Sequence, residues 1–205
     1  MEKIECKFSE ETRDGKPRKK LIKKGHSFHK KFYDNSLCRY YLRYKFNNEK
    51  HKTITVIMQN PSYADETGLD ATLNNLKNFL TTYYSKNFSA FEVLNLFPIR
   101  TPYSNDLKNM LNSHDKQCKH RKKNEEIIKD YVNKSSHILL AWGGKYHEHA
   151  IKTIFPILKD KKLFVCDLNN DGSPLLFSPS AFINNNTDKK LREVTIENLT
   201  IKLKI

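Results

Sequence analysis

TITVIMQNPS, residues 53–62, decides how the rest of the chain is read. Thr53–Met58 is a β-branched, apolar run, the pattern of a strand buried on both faces. It stops abruptly at Gln59-Asn60-Pro61-Ser62, where the proline restricts Asn60 to extended backbone and opens a loop. Three later segments repeat the design: FEVLNLF (91–97) before Pro98, HILLAW (137–142) before Gly143-Gly144, and KKLFVCDL (161–168) before NNDGSPLLFSPSAF. Upstream, CRYYLRYKF (38–46) alternates in a way that also suits a strand. DATLNNLKNFLTTYY (70–84) sets Leu73, Leu76, Phe79, Leu80 and Tyr83 on one face of a helix, capped by Asp70 or Thr72. RTPYSND (100–106) reads as a loop, the basic KQCKHRKK (116–123) as a lead-in, and NEEIIKDYV (124–132) as a helix. HEHAIKTIFPIL (147–158) is a further helix, broken or bent at Pro156, and REVTIENLTIKLKI (192–205) adds a last strand or helix. Strands alternating with helices predict an α/β fold, a three-layer, doubly wound domain on a mainly parallel four-stranded sheet.

The 205 residues suit one domain, read as a basic N-terminal arm over 1–34 and a single α/β domain over 35–205. Lys and Arg number 37 against 23 Asp and Glu, a formal net charge of +14, and nine of those cations fall between Arg13 and Lys31. Such an excess points to a polyanion, nucleic acid above all, although only seven cations are arginine and an Asn-, Ile- and Lys-rich composition also follows from an AT-rich genome. No apolar run approaches the roughly 18 residues of a membrane span, and the first residues lack a secretory signal. The expectation is a cytoplasmic monomer with no membrane partner. Cys6, Cys38, Cys118 and Cys166 are far apart and read as reduced thiols. His114, Cys118, His120, His147 and His149 lack metal-site spacing, and neither phosphate-loop nor dinucleotide glycine motifs occur, so no metal and no cofactor is expected.

In open α/β sheets ligands collect beyond the carboxyl ends of the strands, where QNPSYAD, NLFPIRT, WGGK and GSPLLFSPSAF fall. Asn60 offers both a donor and an acceptor there, for a water, a base edge, or simply its own turn. Asn95 interrupts an apolar strand, where a bare amide is costly unless its own surroundings or a ligand satisfies it.

Taken in order, VIMQNPS, VLNLF, ILLAWGGKYHEHA and SPSAF resemble the uracil-DNA glycosylase superfamily. Those enzymes carry a G-Q-D-P-Y or G-I-N-P-G loop, an L-L-L-N strand, an F-L-L-W-G strand end and an H-P-S-P-L loop. More closely, CRYYLR, VIMQNPSYAD with DAT, VLNLFPIRT, Lys123-Asn124, LLAWG and DGSP resemble domain-of-unknown-function family sixteen forty-three of bacteria and phages. Its pattern runs R-Y-x-L, L-N-P-S-x-A-D, D-P-T, N-L-F, A-W-G and G-x-P-x-H-P-L. The likeness covers residues 38 to about 182 and leaves the basic arm unmatched.

The resemblance implies a glycosylase-like fold and a role for each matched residue. Asn60 falls where the hydrolytic water is positioned, with Asp65 or Asp70 to supply negative charge, helix capping being the plainer role for both. Asn95 falls where a flipped base is read, among Gln59, Ser62, Tyr63 and Phe97, and Trp142-Gly143 at the rim. One alignment of the last loop sets Ser178 at the glycosylase histidine, beside Ser180, with Phe182 as the wedge; another, through Gly172 and Pro174, sets Leu176 there. Either way that histidine is missing, which removes one donor toward a departing base. Arg100, Lys145, Lys19, Lys20, Lys23 and Lys24 are expected to meet DNA phosphates. The implied activity is hydrolysis of the N-glycosidic bond of a damaged or modified base in DNA. A non-catalytic binder of modified bases or nucleic acid, and a nucleoside or nucleotide hydrolase, stay open as alternatives.

Overall fold

A computed structural model describes residues 2–8, 37–46, 52–112, 114–180 and 190–200. One sheet runs through it: β1 (Lys3–Phe8), β2 (Arg39–Lys45), β3 (Thr53–Met58), β4 (Ala90–Asn95), β5 (Ile138–Ala141), β6 (Leu163–Val165) and β7 (Arg192–Val194), in the order β1-β2-β4-β3-β5-β6-β7. The four expected strands form its parallel centre, β4-β3-β5-β6. The sheet nevertheless has seven strands instead of four, because β2 and β1 extend one side antiparallel and β7 extends the other.

Helices cover both faces. On one, α1 (Ala71–Tyr84) lays Leu73, Leu76, Phe79 and Leu80 over Val56, Met58 and Val93. Tyr83, expected on that face, is 48% exposed, while Tyr84 packs on Phe79 and Phe88. The other face carries α2 (Ser104–Asn112), α3 (His114–Lys134), α4 (His147–Thr153), α5 (Phe155–Leu158) and α6 (Ile196–Thr200), which bury Leu107, Ile128, Val132, Leu158 and Leu199 against Ile57, Leu94, Leu140 and Trp142. The break expected at Pro156 falls just before it, since the proline sits in the first turn of α5, where its missing N–H leaves no hydrogen bond unmade.

Two stretches differ from the sequence reading. RTPYSND gives way to α2, and the basic KQCKHRKK belongs to the 21-residue α3. The buried stripe of α3 is His120, Asn124, Ile128 and Val132, so its first half is polar and escapes an apolar periodicity. Residues 3–8 are also not part of a basic arm ahead of the fold. They form the edge strand β1, with Ile4, Cys6 and Phe8 turned inward and Lys3, Glu5 and Lys7 outward, so the run from Arg13 to Lys31 connects two neighbouring strands. That run, with Lys19, Lys20, Lys23 and Lys24, lies outside the described residues, as does Phe182. No helix among the described residues is long and apolar enough to cross a membrane.

Pairing of β1 with β2 is regular from Lys3↔Lys45 to Lys7↔Tyr41 and then jumps to Phe8↔Arg39. Tyr40 is therefore an extra residue, a β-bulge. Tyr40 and Tyr41 both join the core of the α2–α6 face, and Arg39 is returned to the face that Leu42 and Tyr44 occupy.

Candidate functional site

Beyond the carboxyl ends of β3 and β4 lies a pocket of about 270 Å³. Its wall comprises Arg39 from β2, Met58, Gln59, Asn60 and Ser62 from β3 and its loop, Asp70, Thr72 and Leu73 from the start of α1, Asn95 from β4, Thr101 and Pro102, and Leu176 and Ser178. It is smaller than the roughly 300–1,000 Å³ of drug-sized sites.

The two loops that form its mouth are fastened to each other. Leu96 N–H donates to the Met58 carbonyl at 2.8 Å, Phe97 N–H to Gln59 at 3.0 Å and Thr101 N–H to Pro61 at 2.9 Å. Asn60 adds a side-chain stitch, its Nδ2 donating to the Thr101 carbonyl at 2.7 Å and to that of Pro61 at 3.1 Å. The Asn60 Oδ1 accepts from Gln59 Nε2 at 3.3 Å. Asn60 thus holds the loop with its donor, while its oxygen accepts from Gln59, its neighbour in the pocket wall. The last segment is pinned by Asn75, whose Nδ2 donates to the Phe177 carbonyl at 3.1 Å.

Asn95 is the departure from ordinary packing. It is 1% exposed, lines the pocket, and neither its Oδ1 nor its Nδ2 has a hydrogen-bond partner. Leaving a buried amide unsatisfied costs about 1–3 kcal/mol for each group, so natural folds rarely keep one without a use. Its backbone is secured: the Asn95 carbonyl accepts from Asn124 Nδ2 at 2.8 Å.

Beside it, Arg39 is a second anomaly. The guanidinium is also 1% exposed, its Nη1 donates to the Ala64 carbonyl at 2.8 Å, and its Nε is buried with no partner. Burial lowers its pKa, opposed by nearby Cys6, Asp70 and Asp65, and an arginine so placed remains charged. Asp70 caps α1, Oδ1 accepting from Leu73 N–H at 3.0 Å and Oδ2 from Ala64 N–H at 3.4 Å, and its carboxylate faces the same pocket.

With this geometry in view, comparison with known proteins supplies a family. The family model described as Protein of unknown function (DUF1643) matches residues 39–175, about two thirds of the chain. The chain belongs to this family. No curated protein and no solved structure matches it. The DUF1643 match begins at Arg39 and spans every pocket residue except Leu176 and Ser178.

Within this DUF1643 domain the expected site residues divide. Gln59, Asn60, Ser62, Asn95 and Ser178 meet in one pocket. Leu176, the other residue aligned with the glycosylase histidine, meets them there, two positions from Ser178. Asp65 does not line it; buried, it accepts from Thr67 N–H at 2.8 Å and Thr67 Oγ1 at 2.6 Å, closing its own turn. Phe97 faces the other side of the sheet, between Tyr146 and His149. Trp142 is a core residue, not a rim residue, with Nε1 donating to His147 Nδ1 at 3.2 Å. Tyr63 is 36% exposed outside the pocket, near Tyr103 of the second loop. Ser180 is exposed, its Oγ 3.4 Å from Ser178 Oγ. Arg100 is 1% exposed, Nε donating to the Ser62 carbonyl at 3.4 Å and the guanidinium lying over Phe8, so it braces a loop and cannot reach a phosphate at the surface. Lys145 remains exposed, beside the Tyr146 ring. Arg39 is the charged pocket residue that the sequence reading left without a role; its signal was a cation inside a strand of aromatic and apolar residues.

Proposed function

We propose that this DUF1643 protein is a DNA glycosylase-like hydrolase that takes a flipped, damaged or modified base into the pocket between the β3 and β4 loops. The observation that carries the reading is Asn95, a fully buried amide whose donor and acceptor are both unspent at the pocket wall. A nucleobase edge presents a complementary acceptor and donor side by side. In the reaction, a water oxygen bonds to the anomeric carbon as the glycosidic bond breaks. The bonding pair leaves with the base and the water's proton ends on it. Asn60 Oδ1 would orient that water, and the Asp70 carboxylate would supply negative potential toward the cationic sugar that forms; both residues line the pocket. Extruding the base costs a few kcal/mol, offset by pocket contacts and by phosphate contacts from the basic residues.

The test is mass spectrometry of bases released from a panel of genomic and phage DNAs. The proposal expects one base from at least one DNA, with Asn95→Ala reducing release by at least about 100-fold. Absence of release from the whole panel overturns hydrolysis and leaves a binder of modified bases or nucleic acid. That second reading is favoured by one observation, the commitment of Asn60 Nδ2 to two backbone carbonyls, which makes the residue a loop fastener as much as a water holder.

A further inference from the structure

The pocket holds a charge that the proposed chemistry above does not use. Arg39 is buried on the pocket wall, and no carboxylate pairs with it among the described residues. Buried cations are normally paired, since desolvation costs several kcal/mol per ion. The nearby acids Asp70 and Asp65 favour its charge from a distance, but neither makes an ion pair with it. Asp70 accepts instead from the backbone N–H groups of Ala64 and Leu73, and Asp65 from Thr67. Cys6, across the β1–β2 ladder, is held protonated, its pKa pushed up to about 12 by burial, so no thiolate offsets Arg39 at neutral pH. The guanidinium is also there by construction, because the Tyr40 bulge returns Arg39 to this face of β2. Bulges commonly re-aim a side chain beside a site. Two polar side chains, each 99% buried and each with an unpartnered atom, thus converge on one cavity.

We infer that the pocket receives an anionic group of its ligand against the Arg39 guanidinium, with Asn95 reading the neutral donor–acceptor edge of the same molecule. This deepens the base-binding assignment of the pocket and is independent of whether hydrolysis follows. The negative group has two possible sources, a nucleotide phosphate or the ionised ring of a base. Both present a charged acceptor that shortens and strengthens the bond from an arginine N–H.

Calorimetric titration of the full chain with three matched pairs separates them: thymidine and its 5′-monophosphate, deoxyguanosine and its 5′-monophosphate, and uracil and 5-nitrouracil, whose ring is ionised at neutral pH. The expected result is that the anionic member of at least one pair binds about tenfold or more tightly than its neutral partner. Preference in a nucleotide pair identifies phosphate; preference in the uracil pair identifies the ring. Arg39→Gln is expected to bring that pair to within about twofold and Arg39→Lys to keep part of the difference, while Asn95→Ala weakens both members alike. Equal affinity within all three pairs, or no binding of any member at millimolar concentration, overturns the inference. Preference that survives Arg39→Gln overturns it as well. Should Arg39→Gln fail to fold, Arg39→Lys and the wild-type comparison still decide. Base release is measured separately, so failure of the hydrolase reading leaves this result standing, and the reverse.

Discussion

Asn95 sets function against stability at a single position. Both halves of its amide are dry and unpartnered, so Asn95→Leu, close in volume and free of polar atoms, should raise stability by about 1 kcal/mol while abolishing ligand binding. Urea denaturation reads the first effect, and a fall in stability would show that a hidden partner had been lost. Asp70 separates differently. Its Oδ1 caps α1, and Asn caps as well as Asp, so Asp70→Asn should leave stability within about 0.5 kcal/mol and Asp70→Ala should cost about 1 kcal/mol. If the carboxylate also serves the reaction, both variants lose base release to a similar extent; a fully active Asp70→Asn would reduce the residue to its cap.

Helices and strands were legible to the extent that their burial is apolar. TITVIM, FEVLN and ILLA are buried on both sides, so a run of aliphatic residues was enough to find them. The first half of α3 was not found, since its buried positions among the described side chains are the polar His120, which meets Tyr40 Oη at 2.5 Å, and Asn124, whose Nδ2 donates to the β4 backbone. Strand β1 was missed because three of its six residues are outward-facing charges, as befits a sheet edge. The same logic governs the site. Gln59, Asn60, Ser62 and Asn95 were visible as polar residues ending apolar strands, whereas the place of Arg39 depends on a bulge that no pattern of alternation announces. Deleting Tyr40 tests whether the face alone aims the cation. Arg39 would then precede Tyr41 in regular alternation, still opposite Phe8 and on the face of Leu42, so a preference for anionic ligands should survive in the folded variant. Loss of the preference would mean that the kink of the bulge itself, and not only the face it selects, sets the direction of the guanidinium.

At the scale of the molecule, two responses to solution conditions follow. His137, His147 and His149 all have pKa values lowered from 6.5, in each case chiefly by burial. Their folded-state values lie below the unfolded value, so between the two the unfolded chain binds more protons. Stability is therefore fully present above about pH 6.5 and is lost as pH falls through that window. Denaturation midpoints at about pH 7.5 and about pH 5.5 should show the loss, and His147→Leu should reduce it; an unchanged slope would remove His147 from the account. The net charge of +14 makes the second response. DNA affinity should fall at least about a hundredfold between about 50 and 200 mM salt, and a flat salt profile would count against a nucleic-acid partner.

The basic run also gains meaning from where its ends are tied. Phe8, which closes β1, is paired with Arg39, and Leu37 accepts from the Arg100 N–H, so the chain from one to the other starts and finishes beside the pocket. Nine cations fall in the sequence between those two fixed ends, so their greatest distance from the pocket is bounded by the length of chain that joins them. Avidity for a polyanion at the pocket mouth should then depend on the grip of the sheet's outermost strand. Neutralising several cations of that run, with β1 and Arg39 untouched, should weaken DNA binding while leaving the affinity for a free nucleotide unchanged.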